Sequence, residues 1–462
     1  MVTETGTQAG ERCGAMTVND VIDGRPVSRF QALTILACGV VLLLDGFDTQ
    51  AMGFLVPPIA EEFGVPLSAF GPVLSAGLFG LMLGAMGVGP IADRWGRRAA
   101  IIVSALIFGG FSLATPSADT VGELAVLRFL TGLGLGGAMP NVVSLASEYA
   151  PRRLQPVLVT LIFVGMGGGA VLASLVGGAL LPVWGWRSVF YVGGVLPLAL
   201  ALVLARTLPE SVRFLTERGA DPARVRAILL RIAPDLGDTP ITAAPPARRT
   251  GVAVTQLFTD GRAAGTLLLW VPFFMNLLIL YFILSWLPSL LRQAGMPVSA
   301  GITAVLSFSI GGIVGTTLQG PLMKSMGVFA AILSEFVASL GLVVLASVIF
   351  ANFPVMMAVT FVLGITVQGA QAGMNALSAT YYPTTIRSTG VGWALGVGRI
   401  GSIVGPMIGG VMLSMAWTPQ QIFMAGAVPA LCAALAVMVS GRAQGTASPF
   451  RQDPAAQAGP AH

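Results

Sequence analysis

"QALTILACGVVLLLDGFDTQAMGF", residues 31–54, is an apolar run long enough to cross roughly 30 Å of hydrocarbon as a helix, and it carries two aspartates inside it. Eleven more runs of similar length follow, at about 67–90, 99–118, 123–147, 156–181, 187–207, 264–287, 300–322, 328–350, 354–378, 388–413 and 421–440. Twelve spans explain the composition: of 462 residues 55% are hydrophobic and only 10% charged, with a mean hydropathy of +0.84. A soluble chain of this length needs far more charge to cover its surface. The 59 glycines belong to the same class, because small residues let helices approach closely where lipid removes the hydrophobic drive. The fold class expected is an all-α membrane protein of twelve helices.

The net charge of +5 does not point to nucleic acid, since the basic residues are scattered through loops. Cys13, Cys38 and Cys432 lie far apart and suggest neither a disulfide framework nor a metal site. His462 is the only histidine, so metal binding and histidine catalysis are not expected and a proton relay must use carboxylates. No nucleophile–base pair or extramembrane domain suggests an enzyme or receptor, and no cofactor is expected. The Gly-rich runs 165–170 and 405–410 follow no strand, so they read as helix-packing surfaces rather than nucleotide loops.

Arg and Lys placement sets the orientation. With the N-terminus inside, 21 of the 25 basic residues fall in inside segments, only Arg187 and Arg292 fall outside, and Arg128 and Arg399 lie within spans. Both termini are therefore expected in the cytoplasm. The chain divides into a tail (1–30), a six-helix bundle (31–207), a cytoplasmic loop (208–262), a second six-helix bundle (263–440) and a C-terminal tail (441–462). The loop charges read as a solvated segment facing lipid headgroups. The halves repeat: "GPIADRWG" at 89–96 matches "GPLMKSMG" at 320–327, and "EYAP" at 148–151 matches "TYYP" at 380–383. Parallel six-helix repeats of this kind place a substrate site near the midplane between them.

Asp45 and Asp48, three residues apart, share a helix face in the first span. Each ionised carboxylate at mid-bilayer costs roughly 2.5–3.5 kcal/mol. Two like charges this close cannot both ionise cheaply, which suits a proton carrier. Arg399 lies in span 11 opposite Gly167 in the repeat, so the repeat itself requires no charge there. Its planar fork can bind a substrate carboxylate, partner Asp45 or Asp48, or snorkel to an interface. Asn276 and Tyr281 give span 7 a polar face, and Gln368, Gln371 and Asn375 give span 10 another. These groups can read ring hydroxyls or bond helix to helix. Phe47, Phe308 and Trp393 can stack on an aromatic ring or simply pack.

"GPIADRWGRRAAII" (89–102), "RFLTGLGLGG" (128–137), "EYAPRR" (148–153) and "PESVRFL" (209–215) resemble the motifs of the major facilitator superfamily. Within it, "LLLDGFDTQAMGFLVPPIAEEFG" (42–64) and residues 369–410 resemble the aromatic acid:proton symporters, whose first helix carries D-G-x-D. That resemblance implies uptake of a benzoate-like or hydroxybenzoate-like anion with protons. It also implies that Arg128 couples protons, although Arg128 can equally snorkel to the outer interface. Gly89, Asp93, Arg94, Gly96, Arg97 and Arg98 in one inside loop, with Glu148 and Arg152 in the next, read as a charge latch closing the cytoplasmic side. In that reading Gly89 and Gly96 allow a tight turn and close helix contact. The chain departs from the superfamily pattern at 320–327, where only Lys324 is charged. The expected partners are an aromatic carboxylate anion, protons and the lipid bilayer, with the chain a monomer. The alternative is a proton-coupled carrier of a sugar, another organic acid or a drug. The absence of a "PETKG"-like ending counts against sugars.

Overall fold

A computed structural model describes residues 16–218, 221–236, 241–242, 254–259, 261–349, 352–382 and 386–446. The chain forms two compact units, Met1–Thr250 and Gly251–His462. Among the described residues twelve helices are long and apolar enough to cross a membrane, as the hydropathy runs predict.

In the first unit the spanning helices are α2 (Arg29–Phe63), α3 (Gly71–Trp95), α4 (Arg97–Ala114), α5 (Val121–Tyr149), α6 (Gln155–Trp184) and α7 (Trp186–Thr207), preceded by α1 (Val18–Asp23) and followed by α8 (Val212–Glu217) and α9 (Pro222–Ile232). In the second they are α10 (Ala263–Gln293), α11 (Val298–Met326), α12 (Val328–Val348), α13 (Phe353–Tyr381), α14 (Arg387–Ser414) and the pair α15 (Pro419–Ala425) and α16 (Ala427–Thr446). Several run past the apolar core. Helix α2 extends nine residues beyond the run that identifies it, because Ser28 and Gln31 close a capping box at its start and Gly64, at φ 64°, ends it.

The helices meet through glycine. A Cβ on Gly132 or Gly136 of α5 would strike the backbone carbonyl of Gly77 or Leu81 in α3, and one on Gly80 or Gly84 would strike α5 in return. Helices α11 and α13 repeat the arrangement at Gly311, Gly315 and Gly364. Gly46 and Gly169 bring α2 against α6 in the same way, and Gly401 and Gly405 bring α14 against α10. Backbones this close gain dispersion contacts that lipid tails cannot supply.

The central loop does not behave as a headgroup-facing segment over its whole described length. Helix α9 buries Val225, Leu229 and Ile232 in a cluster with Val21 and Ile22 of α1, Ile35 and Cys38 of α2, and Leu208, Val212 and Leu215. Its apolar stripe at i, i+4, i+7 finds protein rather than lipid. Arg224 and Arg231 remain exposed on the other side, and Arg231 lies 4.0 Å from the Phe30 ring. Two-residue strands β1 (Met16–Thr17) and β2 (Ile241–Thr242) pair in parallel and tie the N-terminal tail to this loop. Arg25 bonds Asp235 at 2.8 Å, and its guanidinium holds that carboxyl below the usual range.

Candidate functional site

Charge buried inside the first unit is concentrated where α2, α4, α5 and α7 meet. Asp45 is 1% exposed and Asp48 6%. Arg128 of α5 is 4% exposed, and its Nη1 donates to both Asp48 oxygens at 3.2 Å. Its Nη2 donates to Thr115 Oγ1 at 2.5 Å and Thr131 Oγ1 at 3.0 Å, and its Cζ sits 4.7 Å from the centre of the Phe190 ring. Ser112 Oγ completes Asp48 with a bond of 2.9 Å to Oδ1. Arg128 is therefore buried and paired, and the snorkelling alternative is excluded. A buried pair holds best when its remaining donors and acceptors are satisfied; Ser112, Thr115, Thr131 and the Phe190 ring supply much of that here, although Arg128 Nε makes no hydrogen bond. None of these four stood out in the sequence, because lone hydroxyls and a lone phenylalanine carry no spacing signal.

The two aspartates make different bonds despite their shared face. Asp45 accepts from Thr49 Oγ1, one turn along its own helix, at 3.2 Å. Asp48 is held by residues of α4 and α5.

In the second unit Arg399 Nη1 donates to Tyr281 Oη at 3.3 Å, which joins α14 to α10. Asn276 is fully buried, and its Nδ2 donates to Gln371 Oε1 at 3.0 Å and to the Val367 carbonyl at 3.1 Å. Gln371 passes the chain to Asn375 at 3.3 Å. Gln368 does not join it: its amide fills the hollow beside Gly312 of α11. Residues 368 and 371 are only about 60° apart on a helical wheel, but α13 packs against both α11 and α10, so one amide turns to α11 and the other to α10. Phe47 is 1% exposed; its backbone lies against Gly169 of α6 and its ring against Gly193 of α7, so the ring packs between helices. Phe308 is likewise fully buried. Trp393 is 46% exposed and stacks on Trp270 with centroids 5.9 Å apart.

The inside motifs meet at the Arg-rich end of the first unit. Arg97 is 4.0 Å from Glu148, and Ser211 donates a short hydrogen bond to the same carboxylate. Glu210 accepts from the backbone N–H of Arg98 at 3.1 Å and of Ser211 at 2.9 Å, while the Arg98 side chain reaches the Ala205 carbonyl. Gly96 takes φ 96°, and a side chain there would occupy the place of the Glu210 carboxylate. Gly89 needs no such explanation. It lies within α3 and a Cβ there would meet nothing within 4 Å, so its expected role in a turn is withdrawn. Arg152 pairs with Asp23 of α1 at 3.4 Å, and the Arg94 carbonyl accepts from Arg218 at 3.0 Å. The Asp93 side chain, like Cys13 and His462, lies outside the described residues. Glu210 and Ser211 were legible as part of "PESVRFL", but not as the partners of α4.

Two bundles of six spanning helices, with arginine–carboxylate chemistry buried in the first, define a polytopic transport protein. The chain belongs to the Major Facilitator Superfamily, whose family model matches residues 38–344 and 333–460. It is 39% identical over 436 residues to the 4-hydroxybenzoate transporter PcaK of Pseudomonas putida (92% of this chain, 96% of the relative). It is 38% identical to the gallate transporter of Pseudomonas putida (94% and 96%) and 37% identical to the 3-(3-hydroxy-phenyl)propionate transporter of Escherichia coli (88% and 93%). In fold it resembles a bacterial homolog of the human lysosomal transporter Spinster, with a TM-score of 0.70 at 20% identity over 90% of this chain and 97% of that one. It is a transporter and not an enzyme.

Proposed function

We propose that the protein imports a small aromatic carboxylate together with protons, by alternating access, acting as a monomer in the inner membrane with both termini in the cytoplasm. The observation that carries this reading is the first spanning helix: two buried carboxyls one turn apart, one of them clamped by a buried arginine. A carrier that moves protons without histidine needs carboxyls inside the membrane, and packing does not call for them. Arg128 gives Asp48 a state to switch from, because adding a proton exchanges an ion pair for a neutral acid.

The substrate class rests on the relatives. 4-Hydroxybenzoate, gallate and 3-(3-hydroxyphenyl)propionate each join a hydroxylated ring to a carboxylate. Arg399, steadied by the Tyr281 hydroxyl, offers the fork that a carboxylate takes. Asn276, Gln371 and Asn375 offer amides for ring hydroxyls. The Arg97–Glu148 and Glu210 contacts support a gate at the cytoplasmic end of the first unit.

The test is uptake of radiolabelled 4-hydroxybenzoate, gallate, benzoate and a sugar control into cells expressing the protein. An aromatic acid should accumulate and a protonophore should abolish the accumulation. Sugar uptake without acid uptake, or acid uptake indifferent to the protonophore, would overturn the reading.

A further inference from the structure

One buried carboxyl remains unused. Glu335 of α12 is 6% exposed, about two turns from the start of its helix, and is the only charged residue of that span. A single glutamate in an apolar run forms no motif, so the sequence reading passed over it. Beside it lies Gln319 of α11, 2% exposed. Both side chains reach the hollow beside Gly369 of α13, yet neither the Oε1 nor the Nε2 of Gln319, nor Glu335 Oε2, completes a hydrogen bond of ordinary geometry.

The repeat supplies an internal control. The 231-residue offset places Ser104 opposite Glu335 and Val88 opposite Gln319, and Gly137 corresponds to Gly369 at 232. In the first unit a Cβ on Gly137 would meet Ser104 Oγ and the Val88 side chain. In the second a Cβ on Gly369 would meet Glu335 Oε1 and, at 3.5 Å, Gln319 Oε1. The same junction of three helices is thus built twice, once with a small hydroxyl and an isopropyl group, once with a carboxyl and an amide. Close packing is satisfied by the first version, so it does not explain the second.

The helices packed against α12 are α11, α13, α15 and α16. Their titratable or charged groups are Lys324 on α11, Tyr381 on α13, and Cys432 and Arg442 on α16, with none on α15. Lys324 and Arg442 are exposed, whereas Glu335 is buried. A further polar pair one turn along α12, Ser339 to Thr366 at 2.8 Å, is already closed on itself. Among the described residues Glu335 therefore has an amide for company and no cation. A buried carboxyl so placed is held far more cheaply as the neutral acid than as the anion. Gln319 suits both forms, since its oxygen accepts from a carboxylic O–H and its NH2 donates to a carboxylate.

We propose that Glu335, with Gln319, is a second proton-binding site, housed in the C-terminal bundle apart from Asp45 and Asp48. The ligand is a proton from water, which converts the carboxylate to the acid as its O–H turns to Gln319 Oε1. Any use of that proton in transport rests on the proton-coupled reading above, but its binding does not. Infrared spectra of the purified full-length protein at neutral pH test it. A carboxylic-acid carbonyl band should be present in the native protein, lost in Glu335→Gln, and lost again in the double variant Glu335→Ser/Gln319→Val. The double variant copies the first repeat's own packing and guards against a misfolded single variant. A native spectrum whose acid band is unchanged in both variants would show Glu335 ionised and overturn the proposal. Failure of aromatic-acid uptake would leave the infrared result standing, so the two readings fail separately.

Discussion

Asp48 and Arg128 are both sealed from solvent, so each is the other's main compensation. Removing one partner of such a pair strands the other and destabilises by about 3–5 kcal/mol. Arg128→Gln and Asp48→Asn should each lower the thermal midpoint of the detergent-purified protein and abolish proton-driven accumulation. The double variant should be more stable than the two losses summed, with a coupling of about 0.5–3 kcal/mol. Additive losses would mean the pair contributes no mutual stabilisation. At Arg399 the point of interest is geometry rather than charge. Arg399→Lys keeps the charge and loses the fork. Tyr281→Phe removes a hydroxyl worth about 0.5–1.5 kcal/mol, so acid affinity should fall about 2- to 12-fold. Competition binding with acids and their amides checks both variants, and amides that compete as well as acids would remove Arg399 from recognition.

At the scale of elements, the bundles are set by backbone approach. A methyl on Gly136 would overlap the Leu81 carbonyl of α3. Overpacking of this kind costs about 1–3 kcal/mol, so Gly136→Ala should lower the melting midpoint measurably. Gly89→Ala, where a Cβ within α3 meets open space, should not lower it. The Arg-rich end makes a different prediction. Glu148 ties α5 to Arg97 and to Ser211 beyond α7, far along its helix from Arg128. Glu148→Gln should slow transport while the isolated protein still binds substrate. Binding lost together with transport at normal membrane abundance would place this network in the substrate site instead.

For the whole molecule the open quantity is charge moved per cycle. One proton with a monovalent aryl carboxylate moves no net charge. Two protons move one positive charge inward and gain about 2.3 kcal/mol per 100 mV, worth roughly 50-fold more accumulation. Under the proposed reading, two buried carboxyls in α2 and a third in α12 would give the chain more than one place to hold a proton. The expected outcome is electrogenic uptake: vesicles given a membrane potential, inside negative, and no pH gradient should accumulate the acid. A potential without effect would fix the count at one proton per anion.

The sequence by itself determined the class of fold, because twelve apolar runs leave a chain no other way to satisfy its backbone than as spanning helices. It also marked Asp45, Asp48, Arg128 and Arg399, since charge inside a span is costly enough to be visible in one dimension. What it left open was partnership. Whether Arg128 faced lipid or Asp48, whether Gln368 joined Gln371, and whether Phe47 offered a ring or filled a gap all depend on how helices rotate against one another. That rotation is set by glycine contacts between segments distant in sequence, such as Gly132 against Gly77 and Gly169 against Leu43. Glu335 and Gln319 became a site only in three dimensions, where two helices bring an unremarked carboxyl and an amide to the same glycine.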